Sequence, residues 1–100
     1  MNRGFCERVW ALTEQVPKGR VTTYKIIAEK LGTKAYRAVG KALNVNPHAP
    51  AVPCHRVVGS DGSLTGYAKG LRAKARILAS EGVKIKQDRV EGFEKVLFQF

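Results

Sequence analysis

Hydrophobic positions near the start of the chain recur at helical spacing. Phe5, Val9, Leu12 and Val16 fall three or four residues apart, so they line one face of an amphipathic helix. Pro17-Lys18-Gly19 ends it. Val21-Thr22-Thr23 is a short extended piece, and Thr22 or Thr23 can cap a helix beginning at Tyr24. Tyr24 to Leu31 predicts this second helix, with Ile27, Ala28 and Leu31 inward. Gly32 stops it, and Thr33 opens a third helix reaching about Leu43. Two short helices split by a glycine turn form a helix-turn-helix pattern. On the third helix Lys34, Arg37 and Lys41 share one face, and Ala35, Val39 and Leu43 share the opposite one. The exposed side also carries Ala38 and Gly40, small enough to let a nucleic-acid backbone approach. An ordinary surface helix with lysines for solubility has the same pattern. Pro47, Pro50 and Pro53 restrict the loop that leads to Cys54. Cys54 to Val58 is expected to be short and partly extended, with a turn at Gly59-Ser60-Asp61-Gly62 and a glycine-punctuated loop from Ser63 to Gly70. Leu71, Ala75 and Leu78 mark a fourth helix that ends at Gly82. The tail is charged from Val83 and closes with Phe93, Val96, Leu97, Phe98 and Phe100, which are expected to pack back on the core.

One hundred residues, 44% of them hydrophobic, are expected to form a single domain over 1–100 with one modest core. No stretch approaches the ~20 apolar residues of a membrane span, and the first residues have no apolar signal-peptide segment. The expectation is a cytoplasmic protein with free thiols and no membrane partner. Charge narrows the picture further. Lys plus Arg is 18 against 8 for Asp plus Glu, a net charge of +10. That bias points to a polyanion, nucleic acid before an acidic membrane surface. Between Lys34 and Arg76 there are eight basic residues and a single acid, Asp61. A basic belt between mixed ends is the pattern of a groove-binding face; a solvated surface would read the same way.

Two cysteines are too few for a disulfide scaffold. A zinc site would have to gather Cys6, Cys54, His48 and His55 without CxxC or HxxxH spacing, so no metal is expected. Cys54 is followed directly by His55. A thiol needs help to become thiolate at neutral pH, and an imidazole is the usual help. Adjacent residues of an extended strand face opposite sides, so a water or a local turn would have to link them. Arg56 and the basic belt also favour the anion. A small buried hydrophobe that happens to be cysteine fits equally well. Cys6, without such neighbours, reads as structural. Glu81, in the last turn of the fourth helix, faces the negative end of the helix dipole. It is either solvated or partnered. If the partner is His55, the set is a nucleophile, a base and a group that orients the base.

Pro53-Cys54-His55-Arg56-Val57-Val58 resembles the PCHRV active-site signature of the O6-alkylguanine-DNA alkyltransferases. Lys18-Gly19-Arg20-Val21-Thr22-Thr23-Tyr24 resembles the stretch before that family's first DNA-binding-domain helix, and Tyr36-Arg37-Ala38-Val39-Gly40 its recognition helix. Asn46-Pro47 precedes the cysteine at the family's distance. Gly66-Tyr67 and Gly70-Leu71 resemble the loop after it, and Glu81-Gly82 the final motif. The ordered set runs from about Phe5 to Gly82.

The resemblance implies a mainly α fold with short β pieces, a winged-helix-like helix-turn-helix domain. It implies Cys54 as acceptor of the alkyl group, His55 as the base acting through a water, and Glu81 as the carboxylate that orients His55. Asn46 braces the active-site turn, and Tyr24 protonates the departing guanine near N3. Tyr67, with Val57 and Ala68, walls the base pocket. Arg37 is the finger that enters the stack where a nucleotide has flipped out. Ala38 and Gly40 allow the recognition helix into the minor groove, and Lys34, Lys41 and Thr23 add DNA contacts. The implied partner is double-stranded DNA containing O6-alkylguanine, bound by a monomer without cofactor or metal. Nothing regenerates a thioether, so each molecule is expected to act once. Because the match begins almost at Met1, the family's usual N-terminal domain is expected to be absent, with any metal site it carries. Ala68 stands where many members have Ser and Lys69 where many have Gly, departures that bear on substrate range and rate. Two rivals are a non-enzymatic alkyltransferase-like protein that binds alkylated DNA and recruits excision repair, and a helix-turn-helix transcription factor. The first typically lacks the acceptor cysteine; the second leaves Cys54, His55 and Glu81 unused.

Overall fold

The computed structural model describes residues 3–47, 51–67 and 70–100. The first apolar stripe forms α1 (Arg3–Glu14), with Cys6, Val9 and Thr13 buried on it. The Thr13 hydroxyl donates to the Val9 carbonyl at 2.7 Å, which lets a polar side chain occupy the inward stripe. A two-residue strand, β1 (Thr22–Thr23), leads directly into α2 (Tyr24–Lys30). Thr23 is the cap, its Oγ1 accepting from the Ile26 amide at 3.0 Å. Gly32, at φ +77°, ends the turn after α2.

The next helix, α3 (Tyr36–Asn44), starts later than the expected Thr33. The Thr33 hydroxyl instead accepts from the Ala35 amide at 3.1 Å, a local turn that competes with helix. Lys34 and Ala35 therefore precede the helix, and both are exposed. Val39, Ala42 and Leu43 form its buried face, and the Trp10 indole of α1 donates to the Ala42 carbonyl at 2.8 Å.

The segment from Cys54 to Val58 is partly extended as expected, with Cys54–Arg56 a single 3-10 turn. The turn feeds β2 (Val57–Val58), which pairs in parallel with β1, Thr22 opposite Val57 and Thr23 opposite Val58. The pleat sends neighbouring side chains to opposite faces. Val57 accordingly joins a core with Val9, Ile27, Val39 and Leu43, while Val58 joins a second one with Val21, Leu64, Leu78 and Val83. The two-strand ladder is thus the seam between two small cores.

The fourth helix, α4 (Leu71–Ser80), buries Lys74 and Leu78, whereas Leu71, expected inward, is 41% exposed. The tail then forms a hairpin, β3 (Ile85–Lys86) and β4 (Arg89–Val90), turned through Gln87 and Asp88 at positive φ. A short α5 (Phe93–Val96) comes next. Leu97 bridges Val21 in parallel, with the Val21 amide donating to Val96 O at 2.9 Å, so the tail does pack back on the core. The architecture is mainly helical with short strands, as the pattern and the resemblance implied.

Candidate active site and nucleic-acid interface

The 3-10 turn puts Cys54 and His55 in different surroundings. Cys54 is partly exposed, and His55 is 2% exposed. In the turn Cys54 N donates to Val52 O and Arg56 N to Pro53 O, both at 2.9 Å, and Val57 N donates to Cys54 O. Asn46 braces it from the preceding loop, its amide donating to Val52 O at 3.0 Å.

Glu81, at the C-cap of α4, comes from a helix packed against the turn. Its carboxylate lies 3.1 Å from His55 Nε2 through both oxygens. Arg56 holds the same carboxylate with a fork, Nε to Oε1 at 3.0 Å and the terminal nitrogen to Oε2 at 2.6 Å, and anchors itself on Val16 O at 2.9 Å. Burial raises the Glu81 pKa, but hydrogen bonds from Arg56 and His55 outweigh it and leave the carboxyl below its ordinary range. For His55 burial dominates and lowers the pKa, with the Glu81 hydrogen bond opposing it. An ionised carboxylate only accepts, so Nε2 carries the ring proton of the neutral imidazole. Nδ1 is then the basic lone pair. It is buried and has no hydrogen-bond partner among the described residues.

Tyr24 opens α2 beside this turn. Its hydroxyl donates to Thr65 O at 3.1 Å. Burial raises its pKa, the Thr65 side chain pulls the other way, and Cys54 adds to the rise. The loop holding Thr65 is pinned by Lys74, whose Nζ donates to Val57 O and Thr65 O, both at 2.6 Å. The Lys74 ammonium is 5.8 Å from the centre of the Tyr24 ring. Burial lowers the Lys74 pKa to about 8, with Cys54 opposing the shift. Tyr67 is half-buried, and its pKa is raised by burial first and by Cys54 second.

Two site residues have roles that the sequence pattern does not assign. In sequence Arg56 is only a charge favouring the thiolate, and Lys74 only part of the basic belt. The signal for Lys74 is its position four residues before Leu78, on the inward stripe of α4. Two pocket and groove assignments also change. Val57 is fully buried in the core, and its carbonyl accepts from Lys74 Nζ. The Thr23 side chain is 3% exposed and serves as a helix cap rather than a DNA contact. Ala68 and Lys69 lie outside the described residues.

The face of α3 has the opposite character. Arg37 and Lys41 are exposed, Ala38 and Gly40 partly so. The side chains of Arg37, Lys41 and Lys34 make no hydrogen bond or ion pair among the described residues. Gly40 lies against the Tyr24 ring, where an added Cβ would meet it at 3.9 Å. Between α3 and the post-cysteine loop runs a cleft of about 690 Å³, lined by Tyr24, Lys25, Tyr36, Arg37, Lys41 and Thr65 among others. Lys34, ahead of the helix, is not part of that lining.

Residues 4–83 match the family described as 6-O-methylguanine DNA methyltransferase, DNA binding domain. A methylated-DNA–protein-cysteine methyltransferase of Methanosarcina barkeri is 53% identical over 78 residues, 77% of this chain and 49% of that protein. One of Shigella flexneri is 46% identical over 79 residues, 78% of this chain and 46% of that protein. The chain spans about half the length of these curated relatives. Among solved structures, M. tuberculosis OGT in complex with DNA is similar with a TM-score of 0.77 and 43% identity, over 81% of this chain and 51% of that one. S. pombe Atl1 in complex with damaged DNA containing O6-carboxymethylguanine reaches a TM-score of 0.87 at 26% identity, over 100% of this chain and 99% of that one.

Proposed function

Given that the chain belongs to the family of the 6-O-methylguanine DNA methyltransferase DNA-binding domain, we propose that it repairs DNA by taking an alkyl group from guanine O6 onto Cys54. The observation that carries this reading is the polarised imidazole. Glu81 holds the Nε2 proton of His55, so the basic Nδ1 is left for a water that relays the proton of the neighbouring thiol. Cys54 sulfur then attacks the alkyl carbon in line. An S–C bond forms, the C–O6 bond breaks, and the electron pair goes to the guanine. Tyr24 supplies a proton near N3, so the base departs neutral; its raised pKa keeps that proton in place at neutral pH. No cofactor is needed, and the thioether ends the life of the molecule.

The duplex is held from the minor groove by α3, with the lesion nucleotide flipped toward Cys54 and Arg37 filling the gap. The chain acts as a monomer in the cytoplasm. No described helix is long and apolar enough to cross a membrane.

Incubation with duplex carrying a labelled O6-methyl group tests the reading. It predicts stoichiometric label on the protein, lost in Cys54→Ser with lesion binding retained. Near-original transfer by that variant would move the acceptor elsewhere.

One observation favours a second reading, lesion recognition without transfer. The match to Atl1 on damaged DNA spans the whole chain, including the tail beyond residue 83 where the family match stops. Lesion binding by the intact chain without label transfer would select it.

A further inference from the structure

Three large apolar side chains are exposed among the described residues: Tyr36 at 46%, Val45 at 62% and Leu71 at 41%. Of these, only Tyr36 lines the 690 Å³ cleft. It is the first residue of α3 and immediately precedes Arg37. It belongs to neither core, and its hydroxyl has no hydrogen-bond partner among the described residues. Stability therefore gives no reason for an aromatic ring here. Its surroundings do suit a ligand, because Lys25, Arg37 and Lys41 line the same cleft and, among the described residues, no carboxylate does. Charge complementarity selects a polyanion, and a flat ring among cations selects one with flat faces.

We propose that Tyr36 is a stacking platform for a nucleobase of the bound duplex, one left unstacked where Arg37 enters. The inference rests on the reading of the chain as a nucleotide-flipping DNA-binding protein and deepens it. Arg37 fills the gap in the stack; Tyr36 covers the face of a base that the gap exposes. Every base has such a face, so the contact carries no sequence preference. Stacking on a ring face neutralises no phosphate, so the contact releases no counterions and leaves the salt dependence untouched.

The test measures affinity of the full chain, as Cys54→Ser so that the lesion persists, for a duplex with one O6-methylguanine and for the same duplex with guanine, across a salt series. Tyr36→Ala and Tyr36→Leu are each expected to weaken lesion binding by about tenfold, the size of a lost stacking contact. Tyr36→Phe should keep it within about twofold, since the ring persists. The log–log salt slope should stay that of the parent, and the plain duplex should lose less than the lesion duplex. Because the side chain lies outside both cores, thermal melts of all three variants should match the parent. Parent-like lesion affinity in Tyr36→Ala overturns the inference alone. So does Tyr36→Phe falling with Tyr36→Ala, which makes the hydroxyl the contact, and so does a changed salt slope. A parent chain with no preference for the lesion duplex overturns the underlying reading and the inference with it.

Discussion

The turn at Cys54 and the face of α3 both carry cationic side chains and hold them in opposite ways. At the turn, Arg56 is committed to Glu81 and to the Val16 carbonyl, and Lys74 is fully buried on two carbonyls. On α3, Arg37 and Lys41 stand in water beside an open cleft. Charges of the first kind cost desolvation and return geometry: they fix one tautomer of His55 and the height of the Thr65 loop. Charges of the second kind hold no partner among the described residues. On the proposed function, the first region moves a proton and the second grips the duplex.

Breaking the proton-moving side should have the largest effect. His55→Ala leaves Glu81 paired with Arg56, so the fold survives, and transfer should fall by about 10²–10⁴-fold, the usual worth of a positioned base. Lesion affinity should barely change. A parallel loss of affinity would show that the turn also belongs to the grip.

Arg37→Ala sharpens the comparison from the other side. Unstacking a nucleotide costs a few kcal/mol, and a finger that fills the gap offsets part of it. Repair of duplex DNA should therefore drop by roughly 10–100-fold, while reaction with free O6-alkylguanine base stays at the parent rate. Equal losses on both substrates would make Arg37 part of the chemistry.

The two regions should also differ in how pH acts through them on stability. His55 resists its proton in the folded state, so below about its ordinary 6.5 the unfolded chain binds more protons and stability falls. The depressed Glu81 carboxyl contributes stability that is complete above its ordinary 4.5 and is lost as pH falls through the folded value. Lys74 acts at the other end. Between about 8 and 10.5 the unfolded chain keeps a proton that the folded one has released, so stability rises with pH until tyrosine ionisation opposes it. Denaturation profiles should lose the step near 6.5 in His55→Ala and keep it in Arg37→Ala. A step near 6.5 that survives in His55→Ala would contradict the account.

The smallest effects belong to Lys41 and Lys34. Each substitution by Ala should weaken binding modestly and, where the side chain meets a phosphate, lower the log–log salt slope by about 0.9. Lys34 precedes α3 and is absent from the cleft lining, so Lys41 should show the larger change.

Much of this is legible in the sequence because it is local. The α1 stripe, the Thr23 cap, the Gly32 stop and the opening of α2 each depend on a few adjacent residues. The tail hairpin is not, because its turn uses Gln87 and Asp88 at positive φ rather than a glycine. The start of α3 differs from expectation because the Thr33 hydroxyl bonds forward to Ala35 instead of capping a helix. At the site, the residues alone name Cys54, His55 and Glu81 as chemistry and leave the His55–Glu81 contact as a condition, which only the resemblance fills. The contact itself joins residues 26 apart, which only packing resolves. Arg56 and Lys74 are hidden by the default that charged side chains belong on the surface. A buried cation is recognisable in sequence only through its place on an apolar stripe, as Lys74 is four residues before Leu78.

If the turn at Cys54 accepts the alkyl group, peptide mapping by mass spectrometry after incubation with O6-methylguanine duplex will find one methyl-sized increment per chain, confined to the peptide containing Cys54, with the peptide containing Cys6 unchanged. An unmodified Cys54 in a chain that has bound the lesion, or an increment on Cys6, would contradict that role for Cys54.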